Sequence, residues 1–192
     1  MKKQKNFYII AGPNGAGKTT TAKTIVQNVF HCQNFVNADE IARGLSPFNN
    51  QRFDIEAGKL MLNRIQYYSE NGEDFSVETT LSSVLYLKKI KEFKKLDYKI
   101  TLFFIHLSSE EIAIERVIQR VKKGGHNVDE KIIRRRFKKG LENLMNQYFD
   151  KVDELQIYNN DSDLRKIACK VDNKINIYDQ KIFQQIASYK ND

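Results

Sequence analysis

The sequence predicts an α/β three-layer sandwich: a parallel β-sheet with helices on both faces and a helical, arginine-rich lid. Three observations carry that prediction. Apolar strand-like runs and helix-period segments alternate along the whole chain, without repeats, linkers or low-complexity stretches, the order that builds parallel sheets. A glycine-rich turn, Gly12-Pro13-Asn14-Gly15-Ala16-Gly17-Lys18-Thr19-Thr20, stands between the first strand and the first helix. The excess positive charge is confined to one helix–loop–helix near residues 116–139. At 192 residues, 41% of them hydrophobic and 29% charged, the chain suits one buried core, and a single domain over 1–192 is expected.

Phe7-Tyr8-Ile9-Ile10 is the first strand. A helix follows from Lys18 to about Phe30, with Ala22, Ile25, Val26 and Val29 at helical spacing. Asn34–Ala38 reads as a short strand that closes on Asp39, where a helix can begin. Gly44-Leu45-Ser46-Pro47 interrupts it, and a longer helix runs from about Arg52 to Asn71, ended by Asn71-Gly72. Asp74–Thr79 is the third strand, residues 84–96 a lysine-rich amphipathic helix, and Tyr98–Leu107 the strongest strand signal of the chain. Ser108 with Glu111 forms a capping box before the helix that carries Arg116 and Arg120. Lys123-Gly124-Gly125-His126 breaks the pattern, and Asp129 caps a last long helix to about Phe149, so the lid covers about 120–136. Strands near 154–158, 166–171 and 176–178 and a helix from about Lys181 complete the order.

No apolar run approaches the roughly 20 residues needed to span a bilayer, so no membrane association is expected. The apolar stretch behind Met1-Lys2-Lys3-Gln4-Lys5 breaks at Gly12-Pro13, too soon for a signal peptide. Cys32 and Cys169 offer no disulfide framework or metal-ligand spacing, and a cytoplasmic setting is expected. The net charge is +8, and the window from Arg116 to Lys139 holds ten Lys/Arg against Asp129 and Glu130 alone, which accounts for all of it. Charge gathered on one helix–loop–helix marks a phosphate-clamping lid; a nucleic-acid face would spread more widely, so nucleic acid is disfavoured as a partner.

The turn at Gly12 is a complete G-x-x-x-x-G-K-T pattern between strand and helix, the P-loop NTPase signature. Gly12, Gly15 and Gly17 let backbone N–H groups of the loop, Asn14, Ala16 and Thr20 among its members, converge on an anion. The opening helix adds unpaired N–H groups of its own. Lys18 reaches the β/γ-phosphates and the Thr19 hydroxyl ligates Mg²⁺. ATP with Mg²⁺ is therefore the expected cofactor. An ABC-transporter ATPase is disfavoured, since no L-S-G-G-Q-like stretch occurs.

Phosphoryl transfer to a hydroxyl needs a carboxylate that takes the proton and holds the acceptor in line. Asp39 stands where such a group belongs, at the end of the second strand, although capping the following helix is a second role open to it. Arg43, one turn on, either binds an anionic acceptor or pairs at the surface. Glu78 and Thr79 end the third strand, where an acidic residue contacts acceptor hydroxyls or Mg²⁺ through water; the second metal contact stays open between Asp39 and Glu78. Arg116 and Arg120 share a helix face beside the lid break. In the lid helix Ile133, Phe137, Leu141, Leu144 and Tyr148 form an apolar stripe. At about 100° per residue, Arg134 lies about 60° from Phe137, Arg136 about 100° and Arg135 about 160°. Arg134 is thus expected to face inward, with Arg135 in solvent. His126 reads as a turn residue or a phosphate contact rather than a base, His106 as part of its strand, and Asn159-Asn160-Asp161-Ser162 as either the edge of a nucleotide base or a plain turn.

Taken together, these stretches resemble the zeta-toxin-like P-loop kinases. The likeness runs through Gly12–Thr19, Asn37-Ala38-Asp39-Glu40-Ile41-Ala42-Arg43, Glu78-Thr79-Thr80-Leu81, Glu115-Arg116 to Arg120, and Gly124-Gly125-His126-Asn127-Val128 leading to Arg134-Arg135. The resemblance implies ATP·Mg²⁺, a proton-accepting aspartate at Asp39, and arginines at Arg120 and Arg134 that stabilise the transferring phosphate. Its best-known members are toxins of toxin–antitoxin pairs that phosphorylate UDP-N-acetylglucosamine, so it also implies a sugar-nucleotide acceptor and a protein antitoxin. The chain is shorter than the large toxins and lacks an obvious extra acceptor-binding region. The alternatives are a kinase of nucleic-acid ends or of an antibiotic, and a non-catalytic module that binds RNA or a partner with ATP as a structural ligand.

Overall fold

The computed structural model describes residues 4–46 and 53–191. Pro47 and Arg52, at the expected break and helix start, lie outside the described residues, as do Met1-Lys2-Lys3. Among the described residues, seven strands form one sheet in the order β2-β3-β1-β4-β5-β6-β7. They are β1 (Lys5–Ala11), β2 (Phe35–Val36), β3 (Phe75–Thr79), β4 (Tyr98–His106), β5 (Glu154–Asn159), β6 (Arg165–Val171) and β7 (Lys174–Ile177). The helices are α1 (Lys18–Thr21), α2 (Ala38–Leu45), α3 (Asp54–Glu70), α4 (Leu85–Lys95), α5 (Glu110–Lys122), α6 (Glu130–Asn143) and α7 (Gln180–Ala187). The helix expected from Lys18 continues past α1 as a π-helical stretch to Gln27, and α6 runs on the same way through Leu144–Tyr148.

β1 shows why the run Phe7–Ile10 is apolar throughout. Phe7 and Ile9 face one core with Ile65, Tyr86 and Phe93, while Tyr8 and Ile10 face a second with Ala22, Val26 and Phe103. A central parallel strand is covered on both faces, so every position must be apolar. Val29, placed on the apolar face by its spacing, is 63% exposed, because the helical path has ended by then.

The sheet is parallel from β2 to β5, and the last two strands run antiparallel. An all-parallel sheet needs a crossover of a dozen or more residues between strands, and only residues 160–164 join β5 to β6. Asp172 and Asn173, both at positive φ, make the two-residue turn between β6 and β7, the conformation of a type I′ hairpin.

Two expected caps shift. α5 is capped by Ser109, whose hydroxyl accepts from the Ile112 N–H, while Ser108 turns its N–H and hydroxyl to Asp161. α2 is capped by Asn37, whose side chain accepts from the Asp39 N–H, so Asp39 lies inside the first turn and is not the cap. Among the described residues no helix is long and apolar enough to cross a membrane.

Candidate active site

The carboxyl ends of β1, β3 and β4 meet at the loop that joins β1 to α1. Gly12 has φ 143°, and a Cβ there would stand 2.3 Å from the Ile105 carbonyl oxygen, so the loop can leave β1 this close to β4 only with glycine. The loop is held from outside by residues distant in sequence. Asn160 donates to the Ala16 carbonyl at 2.9 Å, and Arg116 donates to the carbonyls of Asp161, at 2.8 Å, and Gly15, at 3.5 Å. The Asn159–Asp161 turn is therefore a brace for the loop, knitted by Asn159 to Ser108 and Asp161.

Lys18 is buried and curls back over the loop, its ammonium 2.9 Å from the Pro13 carbonyl and 3.8 Å from Glu78 Oε1. Burial pushes its pKa down, opposed by the carboxylates of Glu78 and Asp39, while Arg120 and Arg136 push it down further. A cationic side chain out of water beside two further cations is a site prepared for an anion.

Glu78 Oε2 accepts from the Thr19 hydroxyl at 2.7 Å and from Asn37 Nδ2 at 2.9 Å. The structure thus joins the end of β3 to the start of α1 and the cap of α2 through one carboxylate. A hydroxyl and a carboxylate side by side are hard oxygen donors, the set that suits Mg²⁺. Beyond them opens a cleft of about 200 Å³, whose lining includes the charged residues Lys18, Asp39, Arg120 and Arg136 with Asn14, Thr79, Thr80, Ser83, Met61 and Tyr86. A second, more open hollow of about 540 Å³ adjoins it through Arg120 and collects Arg43, Arg116 and Lys123 with no acidic residue.

Most of the residues singled out in the sequence come together here: Lys18, Thr19, Asp39, Glu78, Thr79 and Arg120 surround one cleft or its floor. Arg43 and Arg116 border the adjoining hollow, and Thr20 is exposed outside the cleft lining. Arg134 is the exception. It does not face the cleft; its guanidinium donates to Glu110, Glu111 and Glu130 at 2.9–3.1 Å, and those three carboxylates hold its pKa above the ordinary arginine value. Arg136, on the same helix, lines the cleft instead.

The reason lies in the packing of α6. The two arginines flank the apolar stripe on opposite sides, and α6 is seated with Arg134 towards the N-terminus of α5. Gly140 sets that seat, since a Cβ on it would stand 2.7 Å from the Thr80 carbonyl. Asn143 donates to the Leu81 carbonyl and Tyr148 to the Ser83 carbonyl, fastening the helix along the same loop. The loop between α5 and α6 folds back so that Arg120 donates to the His126 carbonyl at 2.8 Å. Arg136, Asn37, Met61, Ser83 and Tyr86 are among the cleft residues that sequence reasoning did not assign to the site. Of these, only the spacing Asn37-x-Asp39 carried a signal, that of a side-chain cap at the first helical turn.

A sequence model of the zeta toxin family matches residues 1–182. The chain belongs to the zeta toxin family. An uncharacterized protein of Haemophilus influenzae is 30% identical to it over 137 residues, which cover 71% of this chain and 94% of that protein. In fold, this zeta-toxin-family chain is similar to AvrRxo1-ORF1:-ORF2 solved with ATP, at a TM-score of 0.81 and 16% identity over 100% of this chain and 66% of that one. It is also similar to the PezAT chromosomal toxin–antitoxin system of Streptococcus pneumoniae, at a TM-score of 0.62 and 19% identity, covering 85% of this chain and 71% of that one. The chain thus spans 66% of the length of the AvrRxo1-ORF1:-ORF2 chain it matches.

Proposed function

We propose that this chain is an ATP-dependent kinase, one cytoplasmic catalytic domain that moves the γ-phosphate of ATP to a hydroxyl of a small molecule. UDP-N-acetylglucosamine is the leading acceptor, and the protein acts as the toxin of a toxin–antitoxin pair. The observation that carries the reading is the cleft whose lining gathers Asp39 with Lys18, Arg120 and Arg136 beside the phosphate loop. A carboxylate in one cleft with three cations suits in-line phosphoryl transfer: one group to take a proton, the others to spread the charge on the transferring oxygens.

In this reading the acceptor enters between Asp39 and the wall of Thr79, Thr80 and Tyr86. Asp39 takes the proton of the acceptor hydroxyl, whose oxygen bonds to the γ-phosphorus as the bond to the β-phosphate oxygen breaks and ADP leaves. Lys18, Arg120 and Arg136 hold the three equatorial oxygens. Thr19 and Glu78 would hold Mg²⁺, which supplies further neutralisation of phosphate charge when bound. Arg43 and Lys123, in the basic hollow beside the cleft, suit an acceptor that is itself anionic, as a sugar nucleotide is. AvrRxo1-ORF1:-ORF2 is described with ATP and PezAT as a toxin–antitoxin system, which supports the nucleotide and the antitoxin partner.

The test is incubation of the purified protein with γ-labelled ATP, Mg²⁺ and UDP-N-acetylglucosamine, beside 5′-hydroxyl oligonucleotides and an aminoglycoside. Label on the sugar nucleotide is the expected result. Label on the oligonucleotide or the antibiotic instead would replace the acceptor, and label on none, in protein that binds ATP, would overturn the kinase reading for these acceptors.

A further inference from the structure

Asn14 is the second variable residue of the phosphate loop, a position that needs only a backbone N–H to serve a nucleotide. Its side chain nevertheless is 5% exposed and lines the cleft together with Asp39, Lys18, Arg120 and Arg136. Its Oδ1 is buried and accepts no hydrogen bond among the described residues. A buried amide carbonyl without a partner costs stability, and a molecule entering the cleft that Asn14 lines can supply the missing donor. The rest of the loop is satisfied from elsewhere: Asn160 holds Ala16, Arg116 holds Gly15 and Lys18 holds Pro13.

The chemistry of the missing partner follows from what an amide oxygen can do. It accepts and cannot donate, so it gains nothing from phosphate oxygens, which are acceptors too. ATP's phosphates therefore leave Asn14 Oδ1 unsatisfied, and ATP's own donors sit on its ribose and base, away from the phosphates that the loop holds, so the donor is assigned to the other substrate. Asp39 already receives the proton of the reacting hydroxyl in the mechanism above. We infer that Asn14 binds the phosphate acceptor, its Oδ1 accepting a hydrogen bond from a second O–H or N–H next to the hydroxyl that is phosphorylated. The acceptor class this selects is a molecule with two neighbouring donors, a vicinal diol or a hydroxyl beside an amide. A simple alcohol lacks the second donor and is discriminated against. This rests on the kinase reading and assigns a role to a loop residue that the phosphate-binding pattern leaves unspecified.

The test uses Asn14→Ala and Asn14→Ser in the full chain, with three readouts: thermal melting without ligand, binding of a fluorescent N-methylanthraniloyl-ATP, and transfer kinetics with UDP-N-acetylglucosamine. Removing an unsatisfied carbonyl is expected to leave Tm at or above that of the wild type. Nucleotide affinity is expected within about twofold, and KM for the acceptor to rise about tenfold or more, for a donor left without its acceptor. Asn14→Ser, which keeps an acceptor oxygen, should fall between the two. A Tm lowered by more than roughly 5 °C would make Asn14 a strut of the loop, and lost nucleotide affinity would make it an ATP ligand; either result overturns the inference. Failure of the wild type to take UDP-N-acetylglucosamine rejects that acceptor, and Asn14 is then decided by melting and nucleotide binding on the same terms.

Discussion

Asn37→Ala and Asp39→Asn separate stability from chemistry at the end of β2. Asn37 is 8% exposed, and its side chain makes two hydrogen bonds of 2.9 Å, accepting from the Asp39 N–H and donating to Glu78 Oε2. Alanine removes both. Loss of an N-cap costs about 1 kcal/mol, and loss of a hydrogen bond to a mostly buried carboxylate about 1.5–3 kcal/mol. Together they come to about 2.5–4 kcal/mol, which for a chain of this size lowers Tm by roughly 5–15 °C. Asp39→Asn touches neither bond. It is expected to melt within about 2 °C of the wild type and to bind ATP normally, yet to transfer phosphate at least roughly a hundredfold more slowly, because Asn takes no proton at neutral pH. Melting by circular dichroism, titration with fluorescent ATP and labelled-phosphate transfer read the three quantities. An Asn37→Ala protein that melts with the wild type would show that the cap and the Glu78 bond contribute nothing. Near wild-type turnover in Asp39→Asn would leave Glu78 as the group to examine for proton transfer.

The two lid arginines give a second contrast: Arg136→Gln should lower transfer by about 10³ or more, whereas Arg134→Gln, which only releases Glu110, Glu111 and Glu130, should change it less than about tenfold. Steady-state kinetics decide, and the reverse order would restore Arg134 as the charge-stabilising residue. His106 predicts a pH dependence. It is buried, neither ring nitrogen is hydrogen-bonded among the described residues, and burial pushes its pKa down to about 4 against the weaker pull of Asp161. The folded state thus resists protonation that the unfolded chain accepts below about pH 6.5. Stability is full above that value and is lost as the pH falls towards about 4, by on the order of 2 kcal/mol between about pH 7 and 5. Urea unfolding across that range should show the loss in the wild type and a flatter profile in His106→Phe; equal slopes would mean that His106 is solvated in the folded protein.

The phosphate loop was legible because its chemistry is local. Gly12 to Thr19 lie consecutively, and the backbone conformation they adopt follows from the residues themselves. The strands and most helices were legible for the same reason, since continuous apolar runs in β1 and β4, alternation in β5 and a 3.6-residue period in the helices are written along each segment. Asp39 and Glu78 could be placed at strand ends because the carboxyl ends of parallel strands share one edge of the sheet. The sheet is mostly parallel, as the alternating order predicts; the antiparallel direction of the last two strands goes with the short 160–164 connection and the Asp172-Asn173 turn.

What the sequence by itself determined is the α/β order, the phosphate loop and the set of charged residues from which a site can be drawn. Which of those residues meet was decided by tertiary packing. A helical wheel places Arg134 and Arg136 on opposite flanks of one apolar stripe, but the side that faces the cleft depends on how α6 lies against its neighbours. That is set by Gly140 closing on the Thr80 carbonyl and by Glu110 and Glu111 on α5 drawing Arg134 away. The same holds for Asn37 joining Glu78 across 41 residues and for Asn160 bracing Ala16 across 144. Such contacts are made between side chains whose separation along the chain carries no periodicity, so only the folded molecule brings them into register.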